Sequence, residues 1–239
     1  MIDKTPELFP VGDIIVKEIK HGVVNVSDTI IVKYFEDKQA FTFENLSFSI
    51  AKSLSLPIPR YLFTHDNYLI GMSYVGKSIK DHVISGYDPY EAGVLVGSLM
   101  KYYQGKVATQ GTKENILSNR KIKTIMNSCL VSSGLIYNYA NNPGSLGYCH
   151  GDASINNFTI VQPDKVHMID FSGLTKMGAF GIPAYEYYQF LTSIFQINSL
   201  SIQNKLTAGF IDGYGETNFT DEANILFQTY WSAIRNNKL

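Results

Sequence analysis

The chain has 239 residues, enough for one large domain or for two small lobes sharing a cleft, and enough to bury a real core. With 45% hydrophobic and 17% charged residues it has the composition of a soluble globular protein, which excludes disorder as its main state. Its 20 Lys and Arg against 21 Asp and Glu give a formal net charge of -1, so nothing draws it generally to nucleic acid or to an anionic membrane. Cys129 and Cys149 are the only cysteines, too few for a disulfide framework or a four-thiolate zinc site, and they fit a reducing cytoplasm. Met1 to Pro10 carry Asp3, Lys4 and Glu7 and no apolar h-region, and no apolar run approaches the length of a membrane span. A soluble, cytoplasmic protein is expected, with no nucleic-acid and no membrane partner.

The first third reads as strands. Ile14 to Ile19, Val23 to Ser27 and Ile30 to Phe35 are short runs rich in Val and Ile, separated by turn-type residues, and predict an antiparallel meander. Lys38 to Leu54 sets Phe41, Leu46, Phe48, Ile50 and Leu54 at helical spacing and stops before Pro57 and Pro59, which cannot continue a helix. Arg60 to Phe63 and Tyr68 to Val75 predict another strand pair, joined by His65-Asp66-Asn67. After Gly76 the pattern becomes helical. Ala92, Leu95, Val96, Leu99 and Met100 share one face of a helix over Asp88 to Gln104, where Gly93 and Gly97 permit close packing. Asn115 to Tyr139, Tyr185 to Leu200 and Asp221 to Ile234 predict further helices. Between them, Asn157 to Val161 and Lys165 to Ile169 form a hairpin around Gln162-Pro163-Asp164. The expected architecture is α+β in two lobes: residues 1–75 with a small antiparallel sheet and one helix, and residues 76–239, larger and mainly helical.

The most informative stretch is His150-Gly151-Asp152-Ala153-Ser154-Ile155-Asn156-Asn157, followed by the apolar hairpin and then Ile169-Asp170-Phe171. Asp152, Asn157 and Asp170 set a carboxylate, an amide and a second carboxylate, all hard oxygen donors, in order along a loop and a hairpin. Taken singly, each of these residues is also an ordinary turn residue or cap. In order and spacing, however, the set resembles the catalytic loop and metal-binding Asp of the protein kinase-like fold. Gly151, where most protein kinases carry Arg, resembles the aminoglycoside phosphotransferase and choline kinase branch, of which this would be a compact member.

The resemblance implies a protein kinase-like fold and a set of roles. Asp152 would be the catalytic base, Asn157 and Asp170 the magnesium ligands, and His150 a buried hydrogen-bonding strut for the loop. Lys33, closing Ile30-Ile31-Val32, matches the strand lysine that neutralises nucleotide phosphates, with Glu44 as its partner; the plainer reading is a strand-end lysine and a first-turn helix acid. Gly22 and Asn25 lie where the phosphate-covering loop belongs, or else form a plain hairpin turn. Ser73, Tyr74 and Val75 resemble the hinge whose backbone recognises adenine. Gly181-Ile182-Pro183-Ala184-Tyr185-Glu186 is similar to the G-D-P-x-x-D segment of small-molecule kinases, with Glu186 where an Asp braces the catalytic loop. Phe210-Ile211-Asp212-Gly213-Tyr214-Gly215 resembles the late helix of the same group.

Only 12 residues separate Asp170 from Pro183, short for the activation segment on which a protein kinase docks a peptide. A kinase using ATP or GTP with magnesium on a small hydroxyl acceptor is therefore expected, the acceptor resembling an aminoglycoside, a sugar or choline. From residue 140 onward eight acids face five bases, a mild acidity that suits a cationic acceptor. The 16 Tyr and 14 Phe allow either an acceptor-stacking wall or a core. A protein kinase of the same fold and an inactive kinase-like scaffold are the alternatives. Acceptor identity, ATP versus GTP and oligomeric state are left open.

Overall fold

The computed structural model describes residues 18–20, 23–25, 30–35, 37–65, 69–106, 130–141, 147–162, 164–170, 183–217 and 219, with isolated positions at 123, 126, 225 and 228. By contacts these fall into two compact units, one within Met1–Thr42 and Pro59–Tyr74, the other within Phe43–Ile58 and Val75–Leu239.

In the first unit, strands β1 (Glu18–Lys20), β2 (Val23–Asn25), β3 (Ile30–Tyr34), β4 (Tyr61–His65) and β5 (Leu69–Ser73) form one antiparallel sheet of order β1-β2-β3-β5-β4. The meander read from the β-branched runs is present, with β3 paired to β5. Opposed residues on antiparallel strands share a face. Lys33 is paired with Ile70 and Ile31 with Met72, so Lys33 stands on the same face as the buried Ile70 and Met72. Its ammonium lies 5.3 Å from the centroid of the Phe35 ring, a cation–π contact two residues along the strand.

Helix α1 (Lys38–Ser53) starts where Asp37 accepts hydrogen bonds from the backbone N–H of Gln39 and Ala40. Its buried stripe is Phe41, Glu44, Phe48 and Ala51 at helical spacing. Glu44 is thus a buried residue of the second turn, and the first-turn dipole reading does not apply to it.

The second unit is mainly helical. Ser78 caps the short helix α2 (Ile79–Ile84) by accepting from the N–H of Asp81, a helix that hydrophobic periodicity does not announce because it is under two turns long. Asp88 caps α3 (Pro89–Gln104) through the N–H groups of Tyr90 and Glu91. Helix α4 covers Leu130–Asn141; the rest of the expected 115–139 helix lies outside the described residues. Strands β6 (Phe158–Gln162) and β7 (Lys165–Met168) form the expected hairpin, whose opposed pairs Phe158–Met168 and Ile160–Val166 are buried. Helix α5 (Pro183–Ser193) ends in a 3-10 turn, Ile194–Gln196, and a separate helix α6 (Leu200–Tyr214) follows. This corrects the single helix expected over 185–200. Ile194 and Ile197 keep an apolar rhythm through the break, but Ser199 takes extended backbone and caps α6 by accepting from the N–H of Ile202. The expected 221–234 helix falls outside the described residues, apart from isolated positions 225 and 228.

Helices α3 and α6 pack backbone to backbone through Gly93 and Gly97 on one and Gly209 and Gly213 on the other. A methyl group at Gly209 would land on the Tyr90 carbonyl oxygen, and one at Gly97 on the Phe210 carbonyl oxygen. The close packing expected from Gly93 and Gly97 is therefore real, with a matching glycine pair on α6. On an exposed helix Gly→Ala stabilises by about 1 kcal/mol. Here a clash with main chain wins, so Gly209→Ala is expected to cost about 1–3 kcal/mol net, read as a lower urea midpoint; an unchanged or raised midpoint would contradict the contact.

Many of the described aromatic residues are core, whereas Tyr34, Tyr61, Tyr90, Tyr102, Tyr137 and Phe195 are exposed. Phe158, Tyr187, Phe190, Phe210, Tyr214 and Phe219 form one cluster with ring centroids 4.5–5.9 Å apart, between α5, α6 and the hairpin. No described helix is long and apolar enough to cross a membrane.

Candidate active site

The loop from His150 to Asn157 runs into β6 and is held from several sides. Gly151 has φ +86, a left-handed conformation that favours glycine and turns the chain so that the Asp152 side chain is exposed while His150 is completely buried. The His150 ring donates from Nε2 to the Ile169 carbonyl at 2.8 Å, and its Nδ1 accepts from the Asp152 N–H at 3.3 Å. The imidazole thereby ties the loop to the residue preceding Asp170. A turn closed by Asn157 N–H on the Ser154 carbonyl at 2.9 Å places Asn157 just before β6, one position earlier than the sequence pattern suggests. The Ile169 N–H donates to the Asn157 carbonyl at 3.0 Å, which brings the start of the hairpin to its end.

Asp152, Asn157 and the backbone leading into Asp170 are therefore gathered in one place. Asn157 Nδ2 donates to the Asp152 carbonyl at 2.8 Å and to its Oδ2 at 3.1 Å, so the amide plane directs Oδ1 the other way. Asp170 is exposed and stands at φ +58, a left-handed position that Asp tolerates better than most residues. Among the described residues no cluster of three or more His, Cys, Asp or Glu side chains is arranged to hold a metal ion. A kinase-type magnesium does not need one, because it takes one or two protein oxygens and completes its shell with phosphate oxygens and water. An amide oxygen and a carboxylate are hard donors that fit such an ion.

Glu186 fulfils the bracing geometry despite its extra methylene. It is buried on α5, its Oε1 accepts from the Gly151 N–H at 2.9 Å, and its Oε2 accepts from the Tyr103 hydroxyl at 2.9 Å and from Gln104 Nε2 at 2.8 Å. The Tyr214 hydroxyl donates in turn to Gln104 Oε1, so the ends of α3 and α6 meet at the Glu186 brace of this loop. Burial, with the nearby Glu186 carboxylate adding to it, pushes the Tyr103 phenol well above its ordinary 10.0, and burial pushes Tyr214 up as well. Both hydroxyls stay neutral donors across the physiological range.

Three contributors escape sequence reasoning. Gln189 donates from Nε2 to Asp152 Oδ1 at 2.9 Å, and Ser193 accepts the Ile155 N–H at 3.0 Å. Tyr103 with Gln104 forms the third. Positions 186, 189 and 193 lie at i, i+3 and i+7 of α5, one helical face, and that spacing after Glu186 is the signal that was available.

The remaining predicted residues are placed as follows. Ser73 accepts the Arg60 N–H on its Oγ at 2.8 Å, Tyr74 is exposed and Val75 is buried. Asn25 ends β2 opposite Ile31, while Gly22 lies outside the described residues, as do 171–182. Lys33 belongs to the first unit and Glu44 to the second. Cys149 is buried, and Cys129 lies outside the described residues.

No protein-family model and no curated protein matches the chain in sequence. Solved structures match it in shape. The GDP complex of aminoglycoside 2'-phosphotransferase-IIIa covers 96% of this chain with 89% of its own, at TM-score 0.58 and 15% identity. The choline kinase LicA from Streptococcus pneumoniae matches 90% of this chain with 80% of its own, at TM-score 0.54 and 15% identity. A choline/ethanolamine kinase family protein from Mesorhizobium loti matches 90% with 77% of its own, at TM-score 0.53 and 12% identity. These likenesses establish the architecture: the chain is an α+β protein with the kinase-like fold of the aminoglycoside phosphotransferases and choline kinases.

Proposed function

We propose that the protein is a phosphotransferase that moves the γ-phosphoryl group of ATP or GTP to a hydroxyl of a small molecule. The observation that carries this reading is the exposed Asp152 carboxylate on a buried, braced loop, hydrogen-bonded to Asn157, whose carbonyl accepts the N–H of the residue before Asp170. Asp152 accepts the acceptor's hydroxyl proton while that oxygen forms its bond to the γ-phosphorus. The bond from the γ-phosphorus to the bridging oxygen breaks, and ADP or GDP leaves. Asn157 Oδ1 and Asp170 would hold magnesium, which when bound offsets charge on the phosphate oxygens. His150 keeps the loop in register. Lys33, Glu44, Gly22 and Asn25 are assigned to the nucleotide phosphates and the Ser73–Val75 backbone to the base. On this reading residues 1–75 form the nucleotide lobe and 76–239 the catalytic and acceptor lobe.

A small acceptor is favoured over a peptide by the short 171–182 connection. Solved relatives of the same fold include a complex with GDP and kanamycin and one with ATP and streptomycin. Glu186, although it departs from the Asp of the resembling families, accepts a hydrogen bond from Gly151, which supports an active loop over an inactive scaffold.

Magnesium-dependent nucleotide binding tests the proposal. ATP or GTP at 100 times its Kd is expected to stabilise the native state by about 2.7 kcal/mol, seen as a raised melting midpoint with magnesium. Phosphate transfer to kanamycin or choline is then followed directly. No shift with either nucleotide and no transfer would defeat the proposal.

A further inference from the structure

We propose that Gln189 is a positioning residue that fixes the orientation of the Asp152 carboxylate, an inference that rests on the phosphotransferase reading above. The two oxygens of Asp152 are held by two different amides: Oδ2 by Asn157 Nδ2 at 3.1 Å, and Oδ1 by Gln189 Nε2 at 2.9 Å. Asn157 alone leaves the carboxylate free to turn about its terminal torsion, which has broad wells. A second donor from the opposite side removes that freedom. An ionised carboxylate offers about four lone-pair sites, so two amide contacts leave it able to take the acceptor's proton.

The second amide comes from a rigid source. Glu186, Gln189 and Ser193 descend one face of α5 and reach Gly151, Asp152 and Ile155 in turn. The helix therefore sets the height of the loop backbone with Glu186 and Ser193, and the attitude of its one exposed carboxylate with Gln189. Stability alone does not account for this side chain. Gln189 is only 7% exposed, and among the described residues its Oε1 is buried with no hydrogen-bond donor. A buried acceptor left unpaired is a standing cost. An apolar residue of the same length would remove it, so the amide is kept for what its nitrogen end does. Unsatisfied groups of this kind concentrate at functional sites.

The test uses the full chain with MgATP and MgGTP as donors, and kanamycin, choline or water as acceptor. Gln189→Met keeps the length of the side chain and removes both donors. It is expected to lower kcat by about 10- to 100-fold, the scale of a reacting group misplaced by about 1 Å. The KM for nucleotide should stay at the wild-type value and the melting midpoint should be equal or higher, because the orphaned oxygen is gone. Gln189→His carries a ring N–H at a similar reach and should recover most of the turnover. A Met variant as fast as wild type overturns the inference, as does a loss of kcat that comes with a lowered melting midpoint, or a His variant no better than Met. The two levels fail differently. A wild-type protein that transfers phosphate to none of these acceptors defeats the phosphotransferase reading before any variant is made, and removes the positioning role with it.

Discussion

Asp152→Ala is expected to reduce phosphoryl transfer by about 10²- to 10⁴-fold, the usual contribution of a positioned general base, with nucleotide affinity unchanged. Binding is spared because the groups assigned to the nucleotide lie elsewhere in the sequence, at Lys33, Glu44 and the Ser73–Val75 backbone. Stability is touched only through the partners of Asp152. Asn157 Nδ2 keeps the Asp152 main-chain carbonyl as acceptor, whereas buried Gln189 loses its one hydrogen bond among the described residues. That loss is worth about 1–3 kcal/mol, small beside the catalytic effect. Asp152→Asn separates shape from basicity, since it preserves volume and one acceptor oxygen but takes no proton at neutral pH. Single-turnover transfer and a nucleotide thermal-shift titration on both variants check this. An alanine variant that turned over normally would remove Asp152 from the chemistry.

Glu186→Ala is expected to do something different, lowering stability and activity together. Among the described residues its carboxylate is the one acceptor for the Tyr103 hydroxyl and Gln104 Nε2, both buried, and it accepts from the Gly151 N–H as well. Stranding these donors at about 1–3 kcal/mol each removes a large share of the roughly 5–15 kcal/mol by which a domain is stable. Urea denaturation should show a midpoint far below that of Asp152→Ala. Glu186→Asp makes the point more sharply. It restores the residue usual at this position in the resembling families, yet the shorter side chain cannot span from Gly151 on one oxygen to Tyr103 and Gln104 on the other. An intermediate loss is expected, and a fully stable, fully active Asp variant would show that the extra methylene is incidental.

The first unit was readable because its signals are local. Val and Ile runs make strands, and neighbouring runs pair antiparallel, with Val24 opposite Val32. Helix α1 was located by spacing, but of the five apolar residues read from it only Phe41 and Phe48 are buried, Leu46 is exposed, and Glu44 and Ala51 complete the stripe. The order Asp152, Asn157, Asp170 was readable for the same reason, since a loop followed by a hairpin returns its ends to each other. Helix α6 was harder to see as a helix. Its contact face carries Gly209 and Gly213, which have low helix propensity and no apolar side chain to mark a stripe. Its stability comes from α3, far away in the chain. The break before it was hidden by Ile194 and Ile197, which continue an apolar rhythm across Ser199.

The chemical parts and their order are local in the chain: a carboxylate, an amide and a second carboxylate on a loop and hairpin, after a strand-rich segment. How those parts are held depends on packing between distant elements. Gln189, Gln104 and Tyr103 reach the loop or its brace across 37, 82 and 83 residues of chain, and no local pattern encodes a partner at that distance. The physical reason is that a hydrogen bond in a buried network is specified by where two elements pack, and α3, α5 and α6 are placed by glycine contacts and an aromatic core rather than by the residues that finally meet at Asp152.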